Sequence, residues 1–79
     1  MTLDGFEHGK TARIVAVNWT VLAWDEAKRL KALGVDEGAE VAIIHRGIFG
    51  TRDPLAIRIG RMTIALRRSH ALAIEVEPA

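Results

Sequence analysis

The stretch "RLKALGVDEG", residues 29–38, decides how this chain folds. Its first five residues are good helix formers. Gly34 follows them at the position where many helices end in a left-handed residue, because glycine has no Cβ to clash there. A second glycine, Gly38, stands directly before an apolar run. We therefore predict a short helix that ends at Gly34, a tight turn, and a strand that starts after Gly38.

The helix is predicted within "WTVLAWDEAKRLKALG", residues 19–34, which is the only convincing helical segment. Either Thr20 or Asp25 could cap its first turn, since both side chains can accept a hydrogen bond from a free backbone amide. Leu30 and Leu33, three residues apart, are the expected core-facing pair.

Strands are predicted on both sides of this helix. Segments rich in β-branched residues or with alternating apolar positions favour strands, and Gly60 between two of them predicts a tight hairpin turn with positive φ. The five segments are "GKTARIVAV" (9–17), "EVAIIHR" (40–46), "LAIRI" (55–59), "MTIAL" (62–66) and "LAIEV" (72–76). The alternating positions expected to point inward are Leu55, Ile57, Ile59, Met62, Ile64, Leu66, Leu72, Ile74 and Val76.

Length and composition indicate one small domain, spanning residues 1–79, with 49% hydrophobic residues and no cysteine. The absence of cysteine excludes disulfides and thiolate metal sites. No apolar run approaches the ~18–20 residues that a membrane span needs, and the N-terminus has no secretory signal pattern. We expect a cytoplasmic protein without membrane insertion. Five strands and one helix favour a small barrel, because closure removes exposed strand edges.

An ordered set of motifs comprises the opening "TLDGFEHGKTARIVAV", the pattern RL-x-x-LG-x-x-x-G, then "FG", "DPL", Gly60 and "ALRRSHALAIEV". This set resembles the ferrous iron transport protein A (FeoA) family. His70 stands where that family commonly has a glutamate. The resemblance implies a mainly β fold: a five-stranded SH3-like barrel with one short α-helix between the first two strands. It also implies a cytoplasmic accessory protein of the ferrous iron permease FeoB, a membrane protein with a GTP-binding domain.

The residues provide no catalytic constellation. The sequence has no phosphate-binding glycine motif, and Ser69 lies beside His70, where adjacent residues cannot form a nucleophile with an oriented base. No histidine and carboxylate cluster has metal-ligand spacing; Glu75 and Glu77 share a strand face but are expected to be solvated. We therefore predict neither an enzyme nor a protein that binds a cofactor or metal.

Two alternative functions are nucleic-acid binding and a relationship to a domain of transcriptional repressors. Six arginines but only one acid, Asp53, lie between residues 41 and 72, and small basic barrels can bind nucleic acid. Recognition of single strands needs aromatic platforms, and only Phe49 lies among these arginines. We therefore do not expect a nucleic-acid partner. The other alternative is a stand-alone relative of the C-terminal domain of iron-dependent repressors.

A protein-interaction module is the function that these exclusions favour, with two candidate contact surfaces. One is the segment with Trp19, Leu22 and Trp24, because tryptophan often dominates binding energy, although either tryptophan could instead be a core residue. The other is the glycine-flanked loop with Ile48, Phe49 and Arg52, because adjacent apolar side chains at a loop tip must fold back or meet a partner.

Overall fold

The computed structural model describes residues 1–47 and 53–79. Two single-turn 3₁₀-helices lie at Leu3–Gly5 and Trp19–Val21. The α-helices are α1 (Trp24–Ala32) and α2 (Arg68–Ala71), and the strands are β1 (Thr11–Val17), β2 (Glu40–Arg46), β3 (Leu55–Ile59), β4 (Met62–Leu66) and β5 (Ile74–Pro78). The predicted five strands with an α-helix between the first two are therefore confirmed.

The five strands form one antiparallel sheet in the order β4-β3-β2-β1-β5. Irregularities in register occur where β1 pairs with β5 and where β2 pairs with β3, and such bulges bend strands and increase their twist. The N-terminal residues cover the outer edge of β5: the Val76 amide donates to the carbonyl of Met1 at 2.7 Å, and Thr2 bridges Glu75.

The core lies inside the curved sheet and is lined by all five strands. Strand β3 shows the predicted alternation, because Leu55, Ile57 and Ile59 are buried and Arg58 is exposed. The fully buried members with the largest side chains include Leu3, Ile14, Leu30, Ile43, Leu55, Ile57, Leu66 and Ile74. Helix α1 contributes Leu30 to this core, while Leu33 is half-buried.

The two glycines of the 29–38 stretch have separate tasks. Gly34 has a φ of +94° and ends α1: its amide donates to the Lys31 carbonyl at 3.0 Å, and the Val35 amide donates to the Leu30 carbonyl at 2.9 Å. This pair of bonds is a Schellman motif, and Val35 and Leu30 are both fully buried. Gly38, with a φ of +86°, donates to the Ile14 carbonyl at 2.8 Å and so docks the turn on β1.

Several local predictions were wrong. Neither Thr20 nor Asp25 caps α1: the N-cap is Ala23, with no side-chain cap. Met62 and Leu72 are not in the core but are 43% and 52% exposed. Met62 is the first residue of an edge strand, directly after the hairpin turn.

Leu72 is exposed because the chain is still helical at that point. It is the C-cap of α2, and β5 starts only at Ile74. The alternation of a strand therefore does not reach Leu72. The segment "RRSHA", residues 67–71, contains the short helix α2.

Candidate protein-interaction surface

One stripe of helix α1 carries an exposed tryptophan between lysines. Trp24, Lys28 and Lys31 lie at positions i, i+4 and i+7, which share one face of an α-helix. Trp24 is 77% exposed, although a side chain of this size and apolarity is usually well buried. Leu30 on the opposite face is fully buried and fixes the orientation of the helix. The packing of α1 on the core therefore keeps this stripe on the solvent-facing side of the helix.

Each lysine of the stripe packs on a tryptophan ring. The Lys28 ammonium lies 5.0 Å from the centroid of the Trp24 ring, and the Lys31 ammonium lies 4.6 Å from that of Trp19. Such cation–π contacts stabilise by about 0.5–1 kcal/mol at exposed sites. A shallow depression of about 220 Å³ is lined by Trp24, Ala27, Lys28 and Lys31. We call these four residues with Trp19 the α1 face.

Sequence reasoning named three residues in this region, and the structure gives them different positions. Trp24 is exposed, as a contact residue must be. Trp19 is half-buried and packs against the edge of the core. Leu22 is also half-buried against the core, so it anchors the segment that leads into α1 rather than presenting itself to solvent. The lysines that complete the α1 face were not among the predicted residues.

The other predicted contact residues, Ile48, Phe49 and Arg52, lie outside the described residues. The described structure does show what flanks their segment. The Gly47 amide donates to the Pro54 carbonyl at 2.9 Å, and the Asp53 carboxylate accepts from the Arg68 amide at 2.9 Å. Both ends of the segment are thus tied to neighbouring backbone.

A charged cluster of Asp4, Arg46 and Arg68 was missed by sequence reasoning. Arg46, at the end of β2, donates to the carbonyls of Asp4 and Phe6 at 2.7 and 2.5 Å. The Arg68 Nε atom donates to Asp4 Oδ2 at 3.2 Å, and Asp4 is almost fully buried. The partners are 42 and 64 residues apart in sequence. No local pattern reveals such a pairing.

The described part of the chain brings no set of candidate metal ligands together. Within residues 1–47 and 53–79, no three histidine or acidic residues are grouped so that they could hold a metal ion. Glu77 pairs with Arg13 and Glu75 with the N-terminal ammonium, so both acids have partners within the chain. The His70 Nδ1 atom lies 4.0 Å from one Glu26 carboxylate oxygen. No described helix is long and apolar enough to span a membrane.

A larger open depression, about 590 Å³, lies where the two ends of the described chain meet. Its lining includes Phe6, Pro78 and the pair Glu7 and Lys10. The charges of that pair lie 3.4 Å apart and neutralise each other. This depression is bigger than the one on the α1 face, but its lining offers a ligand no unpaired side-chain charge, so we place the candidate surface on α1.

Comparison with known proteins agrees with this architecture. The FeoA domain family matches residues 1–78. The solution structure of iron(II) transport protein A from Clostridium thermocellum is 29% identical, with a TM-score of 0.83 over 99% of this chain. This chain spans only 45% of that protein. No curated protein sequence matches the chain significantly.

Of two further similar structures, one supports membership of the family and the other supports only the fold. Stenotrophomonas maltophilia FeoA, solved with zinc, is 33% identical, with a TM-score of 0.79 over 98% of this chain and 89% of that one. It is described as an SH3 domain protein and a candidate activating factor of ferrous iron transport. T. acidophilum IdeR has a TM-score of 0.79 over 100% of this chain and 34% of its own, but 19% identity, which shows the fold alone. Since the family match covers all but the last residue, the chain belongs to the FeoA family of small SH3-like domains associated with ferrous iron transport.

Proposed function

We propose that this protein is a cytoplasmic accessory subunit of the ferrous iron permease FeoB and acts by protein–protein contact rather than by chemistry. The observation that carries the proposal is the exposed Trp24 on the α1 face. Among the described residues, no histidine and acidic side chains are grouped so that they could hold a metal ion. Family membership supplies the link to ferrous iron transport. Tryptophan is enriched among the residues that dominate interface energies.

An accessory subunit of this kind works by binding one state of the transporter better than another. A difference of about 1.4 kcal/mol between two states changes their population ratio tenfold. One tryptophan that becomes buried on binding, together with a few neighbouring contacts, supplies that much free energy, because a single hot-spot side chain contributes roughly 2 kcal/mol or more. A surface as small as the α1 face is therefore sufficient for the proposed role.

The proposal is tested by binding of the purified chain to the immobilised cytoplasmic GTP-binding domain of FeoB from the same organism. We expect saturable binding that Trp24→Ala weakens by at least about tenfold, as loss of a hot spot does. Met62→Ala is the matched control, since Met62 is an exposed apolar residue on edge strand β4, and we expect it to bind like the unaltered chain.

Two results would count against this function. Absence of binding by the unaltered chain, both to that domain and to full-length FeoB in detergent, would reject the permease as partner. Equal binding by Trp24→Ala and the unaltered chain would leave FeoB as the partner but reject the α1 face as the contact surface. The melting temperature of each variant shows whether a loss of binding reflects a loss of folding.

A further inference from the structure

We infer that the α1 face binds an acidic segment of a partner protein, in which carboxylates flank an apolar side chain. This inference deepens the proposed function, on which its assignment to FeoB rests, by giving the chemistry of the partner's docking segment. Two features carry it: the lack of a nearby carboxylate at Lys28 and Lys31 among the described residues, and the depression that these lysines line with Trp24 and Ala27.

Within the part of the chain that the structure describes, the lysines of the α1 face are cations without anionic partners. Among residues 1–47 and 53–79, no carboxylate lies within 4.0 Å of either ammonium group. The neighbouring Arg29, in contrast, is paired with Glu26 at 2.8 Å. The sequence thus provides carboxylates on α1, at Asp25 and Glu26, but the fold directs neither of them to Lys28 or Lys31.

The tryptophan rings hold these two cations in place. An exposed lysine side chain normally samples many rotamers, and fixing it on binding costs up to about 2 kcal/mol of entropy. Lys28 and Lys31 already pack on the rings of Trp24 and Trp19 in the free protein. Part of that entropic cost is therefore met before a partner arrives, which favours tighter binding of an anion.

The depression selects an apolar group between the charges. Ala27 and the ring of Trp24 are apolar, and the two lysines also line the depression. A volume of about 220 Å³ accepts one large side chain rather than a small-molecule ligand. A purely apolar partner would bury two ammonium groups without counter-ions, which costs several kcal/mol per ion. A segment with both carboxylates and an apolar side chain avoids that cost.

The acids beside the stripe favour a short protein segment over an extended polyanion. Asp25 is exposed one residue after Trp24, and Glu37 and Asp36 are exposed in the turn after α1. A nucleic-acid backbone or an anionic lipid surface presents negative charge over a wide area and would meet these carboxylates as well. A peptide contributes its few carboxylates only where Lys28 and Lys31 stand.

The test is selection of random 12-residue peptides, displayed on phage, against the immobilised full chain. We expect enriched peptides to combine Asp or Glu with a Trp, Phe or Leu. Synthetic versions should bind the double variant Lys28→Glu/Lys31→Glu at least about tenfold more weakly, since both favourable charge pairs become repulsive. Arg58→Glu/Arg61→Glu is the control, with the same charge change near the β3–β4 hairpin, and should bind like the unaltered chain.

The alternative results overturn the inference. Enrichment of basic or uncharged peptides, no enrichment at all, or equal binding of acidic peptides by Lys28→Glu/Lys31→Glu would each reject an acidic partner segment. Tryptophan fluorescence would also reject the inference if it shifted to the blue with phosphatidylserine vesicles at protein concentrations at which the selected peptides do not bind. That result would show that the α1 face binds a lipid surface. If acidic peptides bind as expected but FeoB does not bind, the inference stands and the permease assignment fails.

Discussion

The Arg46 guanidinium donates to the backbone carbonyl of Asp4 at 2.7 Å, across 42 residues of sequence. It donates in addition to the carbonyl of Phe6 at 2.5 Å. Arginine suits this task because its planar fork presents several donors in a fixed geometry. These bonds join the end of β2 to the N-terminal 3₁₀ turn, directly before the segment that contains Ile48 and Phe49.

Replacing Arg46 by methionine is expected to destabilise the fold by about 2–3 kcal/mol. The substitution keeps the apolar stem but leaves two backbone carbonyls without their charged donor, and such hydrogen bonds contribute about 1.5–3 kcal/mol. Chemical denaturation of Arg46→Met and of the control Arg61→Met measures the difference. Arg61 is exposed in the hairpin turn, so its loss should change stability by less than about 0.5 kcal/mol. Equal stability of the two variants would show that the Arg46 bonds do not contribute.

Gly34→Ala is expected to cost about 1 kcal/mol, because alanine disfavours the positive φ that ends α1. Space is not the cause of the cost, since an added Cβ would lie 3.8 Å from the nearest atom, Cδ1 of Ile59. Gly5→Ala is the matched control: its φ is not positive and nothing lies within 4 Å of an added Cβ. Thermal unfolding of both variants tests this, and a neutral Gly34→Ala would refute the conformational argument.

Leucines 30 and 72 should respond very differently to truncation. Leu30 is fully buried and Leu72 is 52% exposed. Leu30→Ala should lose about 2–5 kcal/mol through lost burial and the cavity left behind. Leu72→Ala should lose less than about 1 kcal/mol, because a half-exposed side chain leaves no closed cavity. Urea denaturation compares their free energies of unfolding. A large loss of stability in Leu72→Ala would show that Leu72 points inward, as strand alternation predicts.

The sequence predicted the elements whose causes are local. The bounds of β2, the alternation of β3 and the left-handed glycines at positions 34 and 60 follow from propensity, period and backbone sterics, and all are confirmed. Leu72 was misplaced because alternation holds only inside a strand, and β5 begins two residues after it. Met62 lies in a strand whose bounds were predicted, but it is exposed at the end of edge strand β4, next to the hairpin turn.

The candidate site was less predictable because it depends on contacts between distant residues. The exposure of Trp24 could not be told from core burial until the orientation of α1 was fixed by Leu30 and Val35. The cluster of Asp4, Arg46 and Arg68 joins three regions of the chain and has no sequence signature. The lysines of the α1 face look like ordinary solvated residues in the sequence, and their packing on the rings of Trp19 and Trp24 is visible only in the structure.

The central claim, that this protein supports ferrous iron transport through its α1 face, is tested most directly by iron uptake in cells. The measurement is the initial rate of radiolabelled ferrous iron uptake in a strain that lacks the protein and is complemented with the unaltered chain, Trp24→Ala or Met62→Ala at equal protein levels. Our account predicts that the unaltered chain and Met62→Ala restore uptake, whereas Trp24→Ala leaves it near the rate of the deletion strain. Full restoration by Trp24→Ala would contradict the role of the α1 face, and normal uptake in the deletion strain would contradict a role in transport.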